Sequence, residues 1–293
     1  MSRRQEGTTY GNVWMYKVLI QILRHVNIRI LYAFMAVFVI PFTLLFSPGA
    51  RITFRYFHRV KRHGRIKSLW YTYRNHCIFG ETVIDKFAMY AGHKFSVDYR
   101  GLDEYEAMTR QPYSIIQLSA HIGCSEIVGY SYDNAKASNV LVYGKEKEAL
   151  MRYREQAFGN KNIKMIPVGD DAPHSEEIIK ALDRNEIICT FADRVVNAKK
   201  IISSTLHGCH IDLARGPFSL AVTRELKVIM TCAMKERNGS YTAYLIPLEY
   251  DKSLSKRQQC QQLADAYSAN IELLLGKYPM QWFNYSDFWE RKQ

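Results

Sequence analysis

The chain has 293 residues and a mass of 34.1 kDa, enough for one large domain or two ordinary ones with a real core. Its 47% hydrophobic and 13% aromatic content, against 23% charged, excludes a disordered solvating chain; a mean hydropathy of -0.24 excludes a polytopic membrane protein but can conceal one apolar segment. The 40 Lys and Arg against 28 Asp and Glu leave a formal +12 and a pI near 9.3, which calls for an anionic partner: nucleic acid, membrane phosphate or an acidic protein.

Residues 14–28 place Val18, Leu19, Ile22, Leu23 and Val26 at helical spacing, with Lys17, Arg24 and His25 between them, the pattern of an amphipathic helix at an interface. From Ile30 to Ala50 no residue is charged, and the part up to Phe46 is almost wholly apolar. That is the length a bilayer core asks of a helix. The segment starts too late, and ends too abruptly in Ser47-Pro48-Gly49, for a cleaved signal. Pro41 inside it predicts a kink, which leaves a full span and a re-entrant or tilted segment both open.

Arg51, Arg55, Arg59, Lys61, Arg62, Arg65 and Lys67 follow, interleaved with Phe54, Tyr56, Phe57, Trp70, Tyr71 and Tyr73. Basic residues beside an anchor stay on the cytoplasmic side and attract anionic headgroups. The same mixture could bind nucleic acid, but no zinc finger, RNP stretch or helix-turn-helix pattern accompanies it, so lipid is the expected partner. Residues 1–70 are therefore read as an anchor with a basic interfacial arm, and 71–293 as one soluble domain.

In that domain apolar residues at intervals of three and four predict a helix over 74–92, then a strand over 95–99 and a short helix over 103–109. The run 113–120 is a buried strand followed directly by His121. Strands over 140–143, 163–168 and 187–191 alternate with helices over 146–158 and 174–184. Strands over 228–234 and 241–247 flank an Asn238-Gly239 turn, and a helix over 258–275 closes the chain. The expected fold is α/β, with a mixed, mainly parallel central sheet flanked by helices and an N-terminal helical membrane arm. Cys77, Cys124, Cys189, Cys209, Cys232 and Cys260 form no C-x-x-C pair, and His207 and His210 around Cys209 make no complete metal set. The reading is reduced, mostly buried thiols in a protein without metal or cofactor.

The chemistry concentrates in Leu118-Ser-Ala-His-Ile-Gly-Cys-Ser-Glu126. On one helix a five-residue separation would leave the His121 and Glu126 side chains about 140° apart. If the chain instead turns through Gly123 from a strand end into a helix, Glu126 can reach back to the imidazole and fix its tautomer, freeing the other ring nitrogen as a base. A histidine base without an attached Ser or Cys nucleophile suits direct transfer to an incoming hydroxyl or amine.

With its N-terminal anchor, basic aromatic arm and His-x-x-x-x-Glu after an apolar strand, the chain resembles the lysophospholipid acyltransferase superfamily and, more narrowly, the bacterial lipid A late acyltransferases, the lauroyl and myristoyl transferases. The resemblance extends to Arg152 and Arg154, to Phe191-Ala-Asp-Arg194, to Ala214-Arg-Gly-Pro-Phe-Ser-Leu-Ala221 and to the aromatic ending from Tyr278 to Trp289. It departs at Leu206-His207-Gly208 and at Trp282-Phe-Asn, positions that bear on the acceptor more than on the chemistry. The resemblance implies acyl transfer from an acyl carrier protein thioester to a hydroxyl of a membrane lipid at the inner face of the cytoplasmic membrane. His121 is then the general base and Glu126 its partner, Arg154 or Arg194 binds phosphate, and Gly216 with Pro217 forms a small turn near the site. An amine acceptor, and a non-catalytic lipid-binding protein of the same fold, are the competing expectations.

Overall fold

The computed structural model describes residues 13–143, 162–168, 174–195 and 200–286. The helix expected over 146–158, with Arg152 and Arg154, and the end of the aromatic motif lie outside these residues.

The N-terminal arm is helical. Helix α1 (Val13–His25) buries Ile20 and Leu23, while Ile22 of the expected apolar stripe stays exposed. Asn27 then caps α2 (Ile28–Phe34), which runs through a π-helical turn (Met35–Val39) into α3 (Ile40–Phe46). The wide turn falls immediately before Pro41, which has no N–H to give to the preceding turn, so the run continues past the proline. Ser47 ends it and caps α4 (Pro48–Arg55), whose continuation Tyr56–Val60 is again π-helical and buries Tyr56 and Phe57.

The long helix α5 (Arg65–Tyr90) joins the arm to the rest of the molecule. It begins well before the predicted start at 74 and continues without a break through residue 70. Beyond it come β1 (Val97–Arg100), α6 (Leu102–Thr109), β2 (Ile115–Ser119), α7 (Glu126–Ser131), β3 (Ser138–Tyr143), β4 (Ile163–Val168), α8 (His174–Asp183) and β5 (Ile187–Phe191). These match the sequence expectations to within a few residues at their ends. The chain finishes with β6 (Ile201–Leu206), β7 (Cys209–Ala214), α9 (Arg215–Thr223), β8 (Lys227–Lys235), β9 (Tyr241–Leu248) and α10 (Lys256–Lys277). A Ser255–Gln258 capping box starts α10.

Seven strands form one sheet in the order β1-β9-β8-β2-β5-β3-β4, parallel except for the β8–β9 pair, as expected for an α/β protein. Strands β2, β5 and β8 are buried over nearly their whole length, which is why they read as continuous apolar runs. The sequence reading does not name the antiparallel ribbon β6–β7; the helix that the resemblance implies after Gly216 and Pro217 is α9, whose first turn already holds both residues. The ribbon is closed by His207 and Gly208, both at positive φ, so a two-residue turn of this handedness joins strands of alternating pattern.

Candidate active site

The site is placed by sheet register. Ser119 at the end of β2 pairs with Phe191 at the end of the neighbouring parallel strand β5. His121 and Asp193 each follow two residues later, so they leave the same end of the sheet side by side. In open α/β sheets the C-terminal ends of parallel strands are where side chains converge on a ligand.

The Nδ1 of His121 lies 2.7 Å from one oxygen of Asp193, and the His121 backbone N–H donates to the other oxygen at 2.8 Å. Asp193 is almost fully buried, while the imidazole is partly open to solvent and rests against the Phe191 ring, centroids 4.6 Å apart. Burial alone would raise the Asp193 carboxyl. The facing imidazole, the two hydrogen bonds from His121 and the Arg194 charge outweigh it and hold the acid below its ordinary value. A carboxylate only accepts, so Nδ1 carries the proton and Nε2 presents a lone pair. Nε2 has no partner among the described residues.

The loop bearing His121 is held on three sides. Gly123 has φ +58° and sits so close to β8 that an added Cβ would lie 2.0 Å from the Ala233 carbonyl oxygen. Only glycine fits there. The closing segment pairs with the same loop: Gly123 N–H donates to Gln281 O, Phe283 N–H donates to His121 O, and Trp282 bridges to Ile122. Asn284 donates through its side chain to the Asp193 carbonyl at 2.8 Å. The segment from Gln281 to Asn284 therefore packs on the His121 loop, with Trp282 buried.

Glu126 opens α7 as the Gly123 turn requires, but the contact expected of it is made by another residue. Asp193 occupies Nδ1 of His121, because the adjacent strand end presents a carboxylate to the ring in register. Glu126 faces α5, where Lys86 Nζ lies 2.7 Å from one of its oxygens and the Tyr90 hydroxyl donates to the other at 3.0 Å. Arg194 is exposed beside Asp193. Gly216 lies exposed in the first turn of α9, with no described atom within 4 Å of an added Cβ, and the Ala214 N–H just before it donates to Ala192 O at the edge of the site. Arg154 lies outside the described residues.

Cys124, inside the motif, is buried, and burial followed by the nearby Glu126 charge pushes its thiol up to about 12. It stays a thiol at neutral pH and cannot serve as a nucleophile. Sequence reasoning misses Asp193 as the partner of His121, and also Lys86 and Tyr90. The signal for Asp193 is an acid at the same offset from its strand end as His121, which becomes informative only once β2 and β5 are known to be neighbours.

Residues 78–290 match the family model for the bacterial lipid A biosynthesis acyltransferases. No curated protein matches the chain.

Proposed function

Because the chain belongs to the bacterial lipid A biosynthesis acyltransferase family, and so to enzymes that acylate lipid-like acceptors, we propose that it moves a fatty acyl chain from an acyl carrier protein thioester to a hydroxyl of a lipid A-like membrane lipid. His121 is the general base. The acceptor hydroxyl gives its proton to Nε2 as its oxygen attacks the thioester carbonyl carbon. The tetrahedral intermediate then expels the carrier thiolate, which takes that proton back from the imidazolium, and the ester bond replaces the thioester. Asp193 holds the tautomer and stabilises the imidazolium, the part first expected of Glu126, whose carboxylate is held by Lys86 and Tyr90.

The observation that carries this reading is the buried Asp193 on Nδ1 of a part-exposed His121, which leaves Nε2 free. Arg194 or Arg154 supplies a guanidinium group for phosphate on the acceptor or donor. The apolar and basic arm supports attachment to the cytoplasmic face of the inner membrane, where an acidic carrier protein would meet a chain of net charge +12.

Purified protein in detergent micelles, offered acyl carrier protein and coenzyme A thioesters separately, tests it. Transfer should favour the carrier thioester and fall by roughly 10²–10⁴ in His121→Ala with the fold intact. Undiminished transfer in that variant refutes the base. Mass spectrometry of lipids from cells with and without the protein identifies the acceptor, and an amide product would replace the hydroxyl by an amine.

A further inference from the structure

The run α2–α3 is long and apolar enough to cross a membrane. At about 1.5 Å per residue it would nearly match a hydrocarbon core of about 30 Å. Its surroundings argue for a different placement.

One face of the run is occupied by α5. The Tyr32 hydroxyl donates to Asp85, the Met35 side chain fills the place a Cβ on Gly80 would take, and the Tyr73 hydroxyl donates to Ala36 O at 3.1 Å. Positions rising along one helix meet positions falling along the other, so the two lie antiparallel. Helix α5 is fastened to the sheet: buried Asp85 lies 2.5 Å from Lys235 Nζ of β8 and accepts from Tyr241, and the Asn75 amide donates to the Met280 and Trp282 carbonyls. Driving α2–α3 through a bilayer would drag α5, with Asn75, Glu81, Asp85 and Lys86, and the ends of β8 and β9 behind it into hydrocarbon.

Charge distribution agrees. Lys17, Arg24 and Arg29 stand near the start of the run, Arg51, Arg55 and Arg59 follow it, and no Asp or Glu occurs between residues 7 and 80. Both ends carry the charge that is retained on the cytoplasmic side. The opposite face of the run exposes Phe34, Val37, Phe38, Phe42, Leu45 and Phe46, and the first turns of α5, which the antiparallel pairing brings beside the Phe46 end, expose Ile66, Leu69 and Trp70. Exposed Arg65 and Lys67 flank these apolar side chains, as basic residues do on helices that lie in the interface.

We propose that α2–α3 does not cross the bilayer: together with the start of α5 it forms a monotopic ridge sunk into the cytoplasmic leaflet, with both of its ends on the cytoplasmic side. The inference builds on the membrane-lipid acceptor in the proposed function and gives it a geometry. Asp85, which holds Tyr32 of the ridge, is followed in sequence by Lys86, which holds Glu126 of the His-x-x-x-x-Glu segment, so α5 ties the start of the ridge to that segment and the acceptor would react without leaving its leaflet.

Labelling the full chain in bacterial membranes with a membrane-impermeant maleimide tests this, using Gln21→Cys and Lys67→Cys with the native chain as background for its own thiols. Both variants should label in inverted vesicles and neither in spheroplasts; labelling from opposite faces, or from outside for both, overturns the proposal. In a second measurement, the Leu69→Asp/Trp70→Asp variant with native circular dichroism should bind vesicles of phosphatidylglycerol about tenfold more weakly, and unchanged binding overturns the role of α5. Labelling uses no change in the apolar ridge, so it decides whatever happens to the second variant. Transfer in micelles reads the chemistry separately, so either conclusion can fail alone.

Discussion

In the proposed mechanism two side chains beyond His121 answer to different measurements. Asp193→Asn replaces an acceptor-only group by one that can also donate, so the His121 ring is no longer held with its proton on Nδ1; transfer should fall by about 10²–10⁴ while the far-ultraviolet circular dichroism stays native. Glu126→Ala should cost less than the loss of His121, because Asp193 already holds the imidazole; equal loss in kinetic assays would give Glu126 a direct part in proton transfer. Asp193 also predicts an acid response. Its folded value is depressed, so the stability it contributes is complete above the unfolded carboxylate value of about 3.9 and is lost as pH falls through the lower folded value. Acid unfolding followed by circular dichroism should therefore be less steep in Asp193→Asn than in the native chain.

Elements place those side chains, and the most exacting placement is the turn between β2 and α7. Gly123→Ala adds a left-handed non-glycine residue and a clash with a backbone oxygen that no rotamer relieves, so urea unfolding in micelles should show a loss of more than about 2 kcal/mol. The arm has its own buried fastening. Asp85→Ala leaves Lys235 without its nearest countercharge and removes the acceptor for Tyr32 and Tyr241, and such a break costs about 3–5 kcal/mol. Limited proteolysis should show the arm released before the sheet. The extent of these elements was legible in part. The apolar runs of β2 and β5 announced themselves, because strands buried on both faces need no polar alternation. The β6–β7 ribbon is marked more weakly, its turn being made by His207-Gly208 rather than by one of the commonest hairpin pairs.

Across the whole molecule, the +12 excess and the apolar ridge predict two components of membrane binding. Raising salt from about 0.1 M to about 1 M shortens the screening length from about 10 Å to about 3 Å. Sedimentation with anionic vesicles should therefore show affinity falling to a floor that persists on zwitterionic vesicles, the floor being the share of the ridge. The sequence by itself determined the α/β class, the apolar and basic arm, and the histidine at a strand end. All of these are written in local periodicity and in runs of like residues, which short-range sterics and burial read directly. Only the tertiary structure decided that Asp193 partners His121, that Glu126 turns to Lys86 and Tyr90, and that α5 lies along the apolar run. Each of these joins residues far apart in the chain through sheet order or helix packing, and no local pattern encodes which strand becomes whose neighbour.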